Sequence, residues 1–262
     1  MNESSIISLT ANLYDAGPTF RIINGHIDTK NQFPWQAHVQ ASYTNSPINN
    51  CGGSIITTTY ILTAADCVLN AKTLKINLGS TYLSTPAKTL YSNSFFVHHS
   101  YNSNYFQNNI ALIRLPEALQ FTSTLMAIRL PSRSQVNETF TNHEAYCTGF
   151  GVTSANDQTL SNRLRWVKVK VISNVECRKS YRPEMIQAET ICAVGWSSPW
   201  QVPCSGDGGG ALAINEFGTW TQIGIFSFFH ETGCESGYPS GFVRITSYFE
   251  WITQITGYLF RP

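Results

Sequence analysis

Seven cysteines are the first chemistry legible in this 262-residue chain, at positions 51, 67, 147, 177, 192, 204 and 234. Thiols can bind metal, carry redox equivalents or close disulfides, and their spacing separates these roles. None forms a C-x-x-C pair, which argues against zinc ribbons and thioredoxin-like redox motifs. The spacings suit disulfides and therefore an oxidising compartment. The odd count leaves at least one thiol free or paired between molecules. Six histidines stand at 26, 38, 98, 99, 143 and 230. No two lie at ligand spacing on a predictable helix, so no metal site is expected. Asn2-Glu3-Ser4 and Asn137-Glu138-Thr139 are glycosylation sequons, of which Asn137 is the candidate site.

The elements that must hold these groups are mostly strands. Charged residues make up 13% of the chain, the apolar fraction is 42%, and glycine and proline number 18 and 11. That composition suits a compact β-rich globule rather than a disordered chain. The formal net charge is +1. No basic cluster reaches the size of a nucleic-acid footprint, and no apolar run is long enough to span a bilayer. Neither a nucleic acid nor a membrane is an expected partner.

Short β-like runs follow one another from Ile22 onward: Trp35–Ala41, Ser54–Thr57, Tyr60–Ala64, Leu74–Leu78, Ile110–Leu115, Leu164–Ile172, Thr219–Phe226 and Gly241–Ile245. Their spacing is that of a barrel or sandwich. Tyr248, Trp251, Ile252 and Ile255 fall on one helical face. Ser247 and Glu250 form a capping-box pair before it, and Gly257 can end it. This helix is expected to clasp the second half of the molecule. A weaker helix candidate starts at Ser173 with Glu176 three residues on. Residues 1–21 read as a polar leader and 22–262 as one domain. Met1–Phe20 does not fit a signal peptide neatly, with Glu3 where one would be basic and no sustained apolar core, so either a leader has been removed or the start of the chain is atypical.

Several segments, in order, resemble the trypsin/chymotrypsin family of serine proteases, in particular its insect and crustacean chymotrypsin/collagenase branch. Arg21-Ile22-Ile23-Asn24-Gly25 resembles the activation junction. Cys51-Gly52-Gly53-Ser54-Ile55-Ile56 and Leu62-Thr63-Ala64-Ala65-Asp66-Cys67 resemble the segment that normally ends in His-Cys. Asn108-Asn109-Ile110-Ala111-Leu112-Ile113 resembles one that normally reads Asn-Asp-Ile-Ala-Leu. Cys204-Ser205-Gly206-Asp207-Gly208-Gly209-Gly210 resembles the nucleophile loop, normally Gly-Asp-Ser-Gly-Gly. Gly149-Phe150-Gly151 and the ending Phe242-Val243-Arg244-Ile245 with Trp251-Ile252 match as well. The resemblance covers residues 22 to about 257. It implies an all-β fold of two six-stranded antiparallel barrels with a C-terminal helix and the site between the barrels. It also implies disulfides Cys51–Cys67, Cys177–Cys192 and Cys204–Cys234. Cys147 is left as a buried free thiol, because Ile214 occupies its usual partner position.

Catalysis in that family needs a hydroxyl nucleophile, an imidazole base and a carboxylate that orients the imidazole. The matching positions here are Gly208, Asp66 and Asn109. Glycine has no side chain. A carboxylate with an ordinary pKa near 4 is a poor proton acceptor at neutral pH. The remaining histidines read as ordinary surface residues, and Ser205 and Ser227 find no imidazole. Asn109 is expected to hydrogen-bond Asp66 directly, relieving the repulsion that two facing carboxylates would suffer. Gly206 and the Gly208 amide retain a possible oxyanion hole. Asp207 is the expected partner of the Ile22 ammonium after cleavage following Arg21.

Val202 stands at the expected pocket base, with Ser227, Phe228, Phe229 and Ser240 around it. Phe229 either fills the cleft mouth or turns outward. The resulting expectation is a secreted, extracellular, zymogen-like glycoprotein that is a non-catalytic protease homologue without cofactors. It would bind a protein partner such as a protease, zymogen or inhibitor, as regulator or decoy in a proteolytic or immune pathway. The alternatives are an active serine-type endopeptidase with unusual chemistry and a storage or structural secreted protein.

Overall fold

The computed structural model describes residues 25–154 and 159–262. The leader 1–21 and the Arg21-Ile22 junction lie outside the described residues. Fourteen strands appear in chain order: β1 (His26–Ile27), β2 (Gln36–Ser42), β3 (Asn49–Ile55), β4 (Tyr60–Thr63), β5 (Thr73–Leu78), β6 (Lys88–Ser92), β7 (Phe95–Val97), β8 (Ala111–Arg114), β9 (Glu144–Gly149), β10 (Arg165–Ile172), β11 (Thr190–Gly195), β12 (Ala211–Glu216), β13 (Thr219–Phe228) and β14 (Ser240–Arg244). Three short helices join them: α1 (Ala65–Val68), α2 (Asn174–Cys177) and α3 (Phe249–Thr256).

Both sheets are antiparallel and close on themselves. The first runs β6-β5-β2-β3-β4-β8-β7. Its two ends, β6 and β7, are consecutive pieces of one stretch broken only at Asn93 and Ser94, so that stretch bridges both edges. In the second, the order β10-β11-β14-β13-β12-β9 closes through a β9–β10 pairing, and the two-residue β1 adds onto β10. Each sheet is thus a six-stranded barrel, and closure removes the exposed edges that would invite aggregation.

Strand β10 shows how the pattern produces the barrel wall. Val167, Val169 and Val171 point into the core, while Lys168 and Lys170 alternate outward. This is the period-2 signature of a half-buried strand. Strand β13 is bulged where Phe226 pairs with Phe242 and Phe228 with Gly241. The extra residue, Ser227, is re-aimed toward the neighbouring barrel.

The C-terminal helix differs from expectation in two respects. The chain enters it through a 3₁₀ turn, Ile245–Tyr248, so Tyr248 is the N-cap and makes no side-chain cap bond. Ser247 lies inside that turn, and the capping box does not form. The helix also clasps the first half of the molecule. Phe249 and Ile252 share a buried cluster with Leu112, Leu115 and Leu119, and the Tyr60 hydroxyl donates to the Ile255 carbonyl at 3.1 Å. Gly257 ends it in a left-handed conformation, φ 70°. The short helix α2 forms as expected, with the Ser173 side chain accepting from the Glu176 N–H.

Asp207 is 1% exposed and packs onto two glycines of the β9 end. A Cβ at Gly149 would sit 2.0 Å from its Oδ1, and one at Gly151 2.5 Å from its Cγ. Gly149→Ala should therefore lower stability by about 2 kcal/mol or more, the scale of a severe overpacking change. Urea unfolding with an unaltered slope measures this; a midpoint equal to wild type would show that the cradle yields freely.

Candidate functional site

Three residues that sequence alone placed together do meet between the barrels. Asp66 is on α1, directly before Cys67. The Cys51–Cys67 disulfide pins that short helix to β3. Gly208 faces the same disulfide: a Cβ built on it would lie 3.8 Å from Cys51 Sγ and 3.9 Å from Cys67 Sγ, with nothing nearer. Its carbonyl accepts from the Gly52 N–H at 2.7 Å. Asn109, fully buried, precedes β8.

The predicted bond between Asn109 and Asp66 exists in another form. Asn109 Oδ1 accepts from the backbone N–H of Asp66 at 3.0 Å. Its amide donates to Ser227 Oγ at 2.9 Å, across the barrel interface. The neutral asparagine therefore ties α1 to β13 and leaves the Asp66 Oδ1 atom buried with no hydrogen-bond partner. Burial raises the Asp66 carboxyl from 3.8 to about 6, opposed by the nearby Asn109 amide and backbone N–H groups. Tyr101 lies close enough that the Asp66 charge adds to the burial that pushes its hydroxyl to about 12.

The other histidines find partners elsewhere. His26 lies against Trp166, His98 stacks on His99 beside Tyr248 and Trp251, His143 meets Phe140, and His230 meets Tyr238. His38, which reads as a surface residue in the sequence, is instead buried, with its Nδ1 3.3 Å from the Asn77 amide. Burial lowers its pKa to about 4. It falls at an inward position of β2 because the strand is covered on both faces. Ser205 is exposed.

Asp207 accepts from the Gly151 N–H at 2.8 Å and the Cys204 N–H at 3.0 Å. Burial lifts its carboxyl to about 6, against the pull of those two bonds. Among the described residues no cation pairs with it. The Gly206 and Gly208 N–H groups likewise have no backbone acceptor among the described residues.

Phe229 turns inward. It packs against Val152, Val202, Cys204 and Cys234 and stacks on Phe226 at 6.5 Å. Val202 is 1% exposed at the bottom of that cluster. Phe228 lies over Gly241, where a Cβ would come within 2.1 Å of its ring, and sits between Phe106 and Tyr181. Ser240 is buried beside it on β14. Phe106 and Tyr181 carry no motif, and only the aromatic content of their segments hints at this layer.

Disulfides join Cys51 to Cys67, Cys177 to Cys192 and Cys204 to Cys234. Cys147 is a buried free cysteine. Asn137 is exposed in a turn after Arg133–Gln135. Among the described residues no helix is long and apolar enough to cross a membrane.

The chain is similar in sequence and fold to known proteins over most of its length. The Trypsin family model matches residues 22–252. Collagenase from Hypoderma lineatum is 36% identical over 240 residues, covering 92% of this chain and 89% of its own. Chymotrypsin from Phaedon cochleariae is 33% identical over 244 residues, covering 91% and 83%. Brachyurin from Leptuca pugilator is 35% identical over 210 residues, covering 79% and 88%. The solved structure of HL collagenase superposes with a TM-score of 0.83 at 35% identity, covering 91% of this chain and all of that one. The chain belongs to the trypsin family.

The Asp66 carboxyl binds its proton near pH 6 when folded and near 3.8 when unfolded. Between those values the folded state holds the extra proton, so this group makes stability fall as pH rises from about 4 to 6. Asp66→Asn removes that loss. The variant should gain on wild type by roughly 2 kcal/mol between pH 4 and pH 7, read as the difference between their urea unfolding free energies. His38 contributes equally to both proteins and cancels. A difference that stays constant with pH would mean that Asp66 ionises freely.

Proposed function

We propose that this chain is a secreted, non-catalytic member of the trypsin family that acts by binding a protein partner. The observation that carries the reading is Gly208. The nucleophile loop keeps its backbone, yet the position that must supply a hydroxyl has no side chain and opens onto the Cys51–Cys67 disulfide. Asp66 and Asn109 supply no imidazole, and the interactions of the six histidines do not reach a cleft serine. Loss of the triad in a serine protease costs about 10⁶ in turnover, and binding with an oxyanion hole retains only about 10³–10⁴ over water. Secretion is supported by the three disulfides and by membership of the family. The partner class is a protease, a zymogen or an inhibitor.

Phe229 supports the same reading. It packs against the cluster containing Val202, the position that the family resemblance assigns to the base of the substrate pocket. The second reading, an active endopeptidase, draws on relatives named collagenase, trypsin and chymotrypsin. A fluorophosphonate probe separates the two. The proposal expects no covalent labelling and no peptide hydrolysis at ordinary protease rates by purified, cleaved protein; labelling or turnover would overturn it.

Restoring Asp66→His, Asn109→Asp and Gly208→Ser together should give activity well below that of an ordinary family member, because misplacement by about 1 Å can cost about 10²-fold. Adding Phe229→Gly should raise it. Full activity from the triple variant alone, measured as kcat/KM on a peptide with an apolar residue before the scissile bond, would place the whole loss in those three side chains.

Cleavage after Arg21 should still act as a conformational switch. The freed Ile22 ammonium would meet the buried Asp207 carboxylate, which has two N–H donors and no cation among the described residues. Hydrogen exchange of residues 202–210 should slow after trypsin treatment, and identical protection before and after would show that the switch is gone.

A further inference from the structure

We infer that the cavity beside the C-terminal helix seats the first N-acetylglucosamine of a glycan carried on Asn137. The inference rests on the secreted part of the reading above and adds where the sugar lies.

The cavity measures about 460 Å³, within the range of about 300–1,000 Å³ usual for small-ligand sites. Its walls are the 3₁₀ turn before α3, the start of α3, Arg133 and Val136 just ahead of the sequon, and His98 and Glu189. Thr246 is one of the lining residues, is 4% exposed, and its hydroxyl has no hydrogen-bond partner. A buried hydroxyl in that state is costly, and a ligand hydroxyl or amide at hydrogen-bond distance removes the cost.

The other lining groups suit a sugar. Trp251, half-buried, offers an indole to the C–H face of a pyranose ring. Arg133 holds Glu250 at 2.8 Å, and both side chains stay exposed. Glu189 is exposed and has no ion pair among the described residues. His98 accepts from the Ser100 N–H on Nδ1 at 3.3 Å, so its neutral ring carries the proton on Nε2 as a donor. Burial and the neighbouring His99 hold its pKa below the ordinary value. Donors and acceptors of both signs around one indole match a neutral ring of hydroxyls. An anion would face Glu189 and Glu250, and an apolar peptide would leave these polar groups unpaired.

The chain itself can supply that sugar. Asn137-Glu138-Thr139 is a sequon, Asn137 is exposed, and Val136 directly before it lines the cavity. On the other side, the Glu138 and Thr139 carbonyls accept from the Arg244 guanidinium at 3.2 and 3.4 Å. Arg244 leads by way of Ile245 into Thr246. Asn137 is therefore held between two segments that border the same cavity. A tether this short gives the first sugar an effective concentration of about the millimolar range, so individually weak contacts suffice.

The test uses the full chain, carried through the secretory route of a eukaryotic cell limited to oligomannose glycans by a heterologous signal sequence. Peptide mass spectrometry should find Asn137 occupied. Endoglycosidase H leaves one N-acetylglucosamine, and that trimmed protein should melt with the fully glycosylated one. Asn137→Gln and Thr139→Ala, which carry no sugar there, should melt about 2–4 °C lower. The gap should close in a Trp251→Ala background and shrink in Thr246→Val, which keeps the shape and removes the hydroxyl. A bare Asn137, equal melting of all forms, a gain lost on trimming, or a gap undiminished in both backgrounds would overturn the seat. Because the signal sequence fixes the route, each of these strikes the seat and leaves the secreted reading standing. Reduced Cys51 and Cys67 in the chain isolated from its source would remove that reading instead.

Discussion

The two barrels meet backbone against backbone at Gly52 and Gly210, and the geometry of the cleft follows from that contact. A Cβ on Gly52 would lie 2.9 Å from the Gly210 Cα, and the Gly52 N–H donates to the Gly208 carbonyl. A side chain at Gly52 would force the barrels apart, whereas one at Gly210 would meet the Asp207 and Thr148 carbonyls of its own barrel. Buried polar pairs flank the contact: Ser54 Oγ donates to Gln222 Oε1 at 2.6 Å, and Thr148 Oγ1 to Gln36 Oε1 at 2.5 Å. Leaving either half of such a pair unsatisfied costs more than the bond contributes. The barrels therefore dock in one register, which sets Gly208 against the Cys51–Cys67 disulfide beside α1.

That docking rests on backbone contacts and buried polar pairs and does not depend on which side chains stand at positions 66, 109 and 208. Asn109 occupies the place between α1 and β13 and satisfies both, with its oxygen on a backbone N–H and its amide on Ser227. An aspartate there would have no donor to offer Ser227 and would bring a second carboxylate toward Asp66. The neutral amide holds the same frame without needing an imidazolium. The cost falls on Asp66 and Asp207, two buried carboxyls without cations among the described residues, both raised by burial.

Much of this was legible in the sequence because it depends on covalent spacing and glycine placement. The three disulfides, the free Cys147 and the paired barrels are what the resemblance to the trypsin/chymotrypsin family implies, and the approach of Asp66 to Asn109 follows from the positions that resemblance assigns them. Strands β9, β11 and β12 were harder. Thr148 and Gly149 on β9 interrupt the apolar alternation because they meet Gln36 of the other barrel and Asp207 of the nucleophile loop, and Gly195 ends β11 against the carbonyls of Ser198 and Gln201. The helix periodicity identified α3 but not its entry, because Tyr248 is held by a hydroxyl bond to Asn108 Oδ1 at 2.9 Å. That tertiary contact tightens the turn before the helix and displaces Ser247 from the cap. Likewise, no local pattern tells which atom of Asp66 an asparagine forty-three residues away will meet.

The aromatic residues after Ser227 are positioned by the same bulge that aims Ser227 at Asn109. The bulge that aims Ser227 at Asn109 fixes where β13 ends, and the next two rings must go to opposite sides of the strand. Phe228 is accepted by the glycine at 241, between Phe106 and Tyr181. Phe229 is then directed at Val202 and the Cys204–Cys234 disulfide. A large apolar ring is stable there because an aliphatic residue, not a charge, lines the bottom. Ring and floor support each other: a charged residue at 202 would be buried under Phe229 without a partner, and a glycine at 229 would leave the valine open to water. Ser227 thus links the two regions along one strand: its hydroxyl accepts from Asn109, and the rings that follow it pack around Gly241 and Val202.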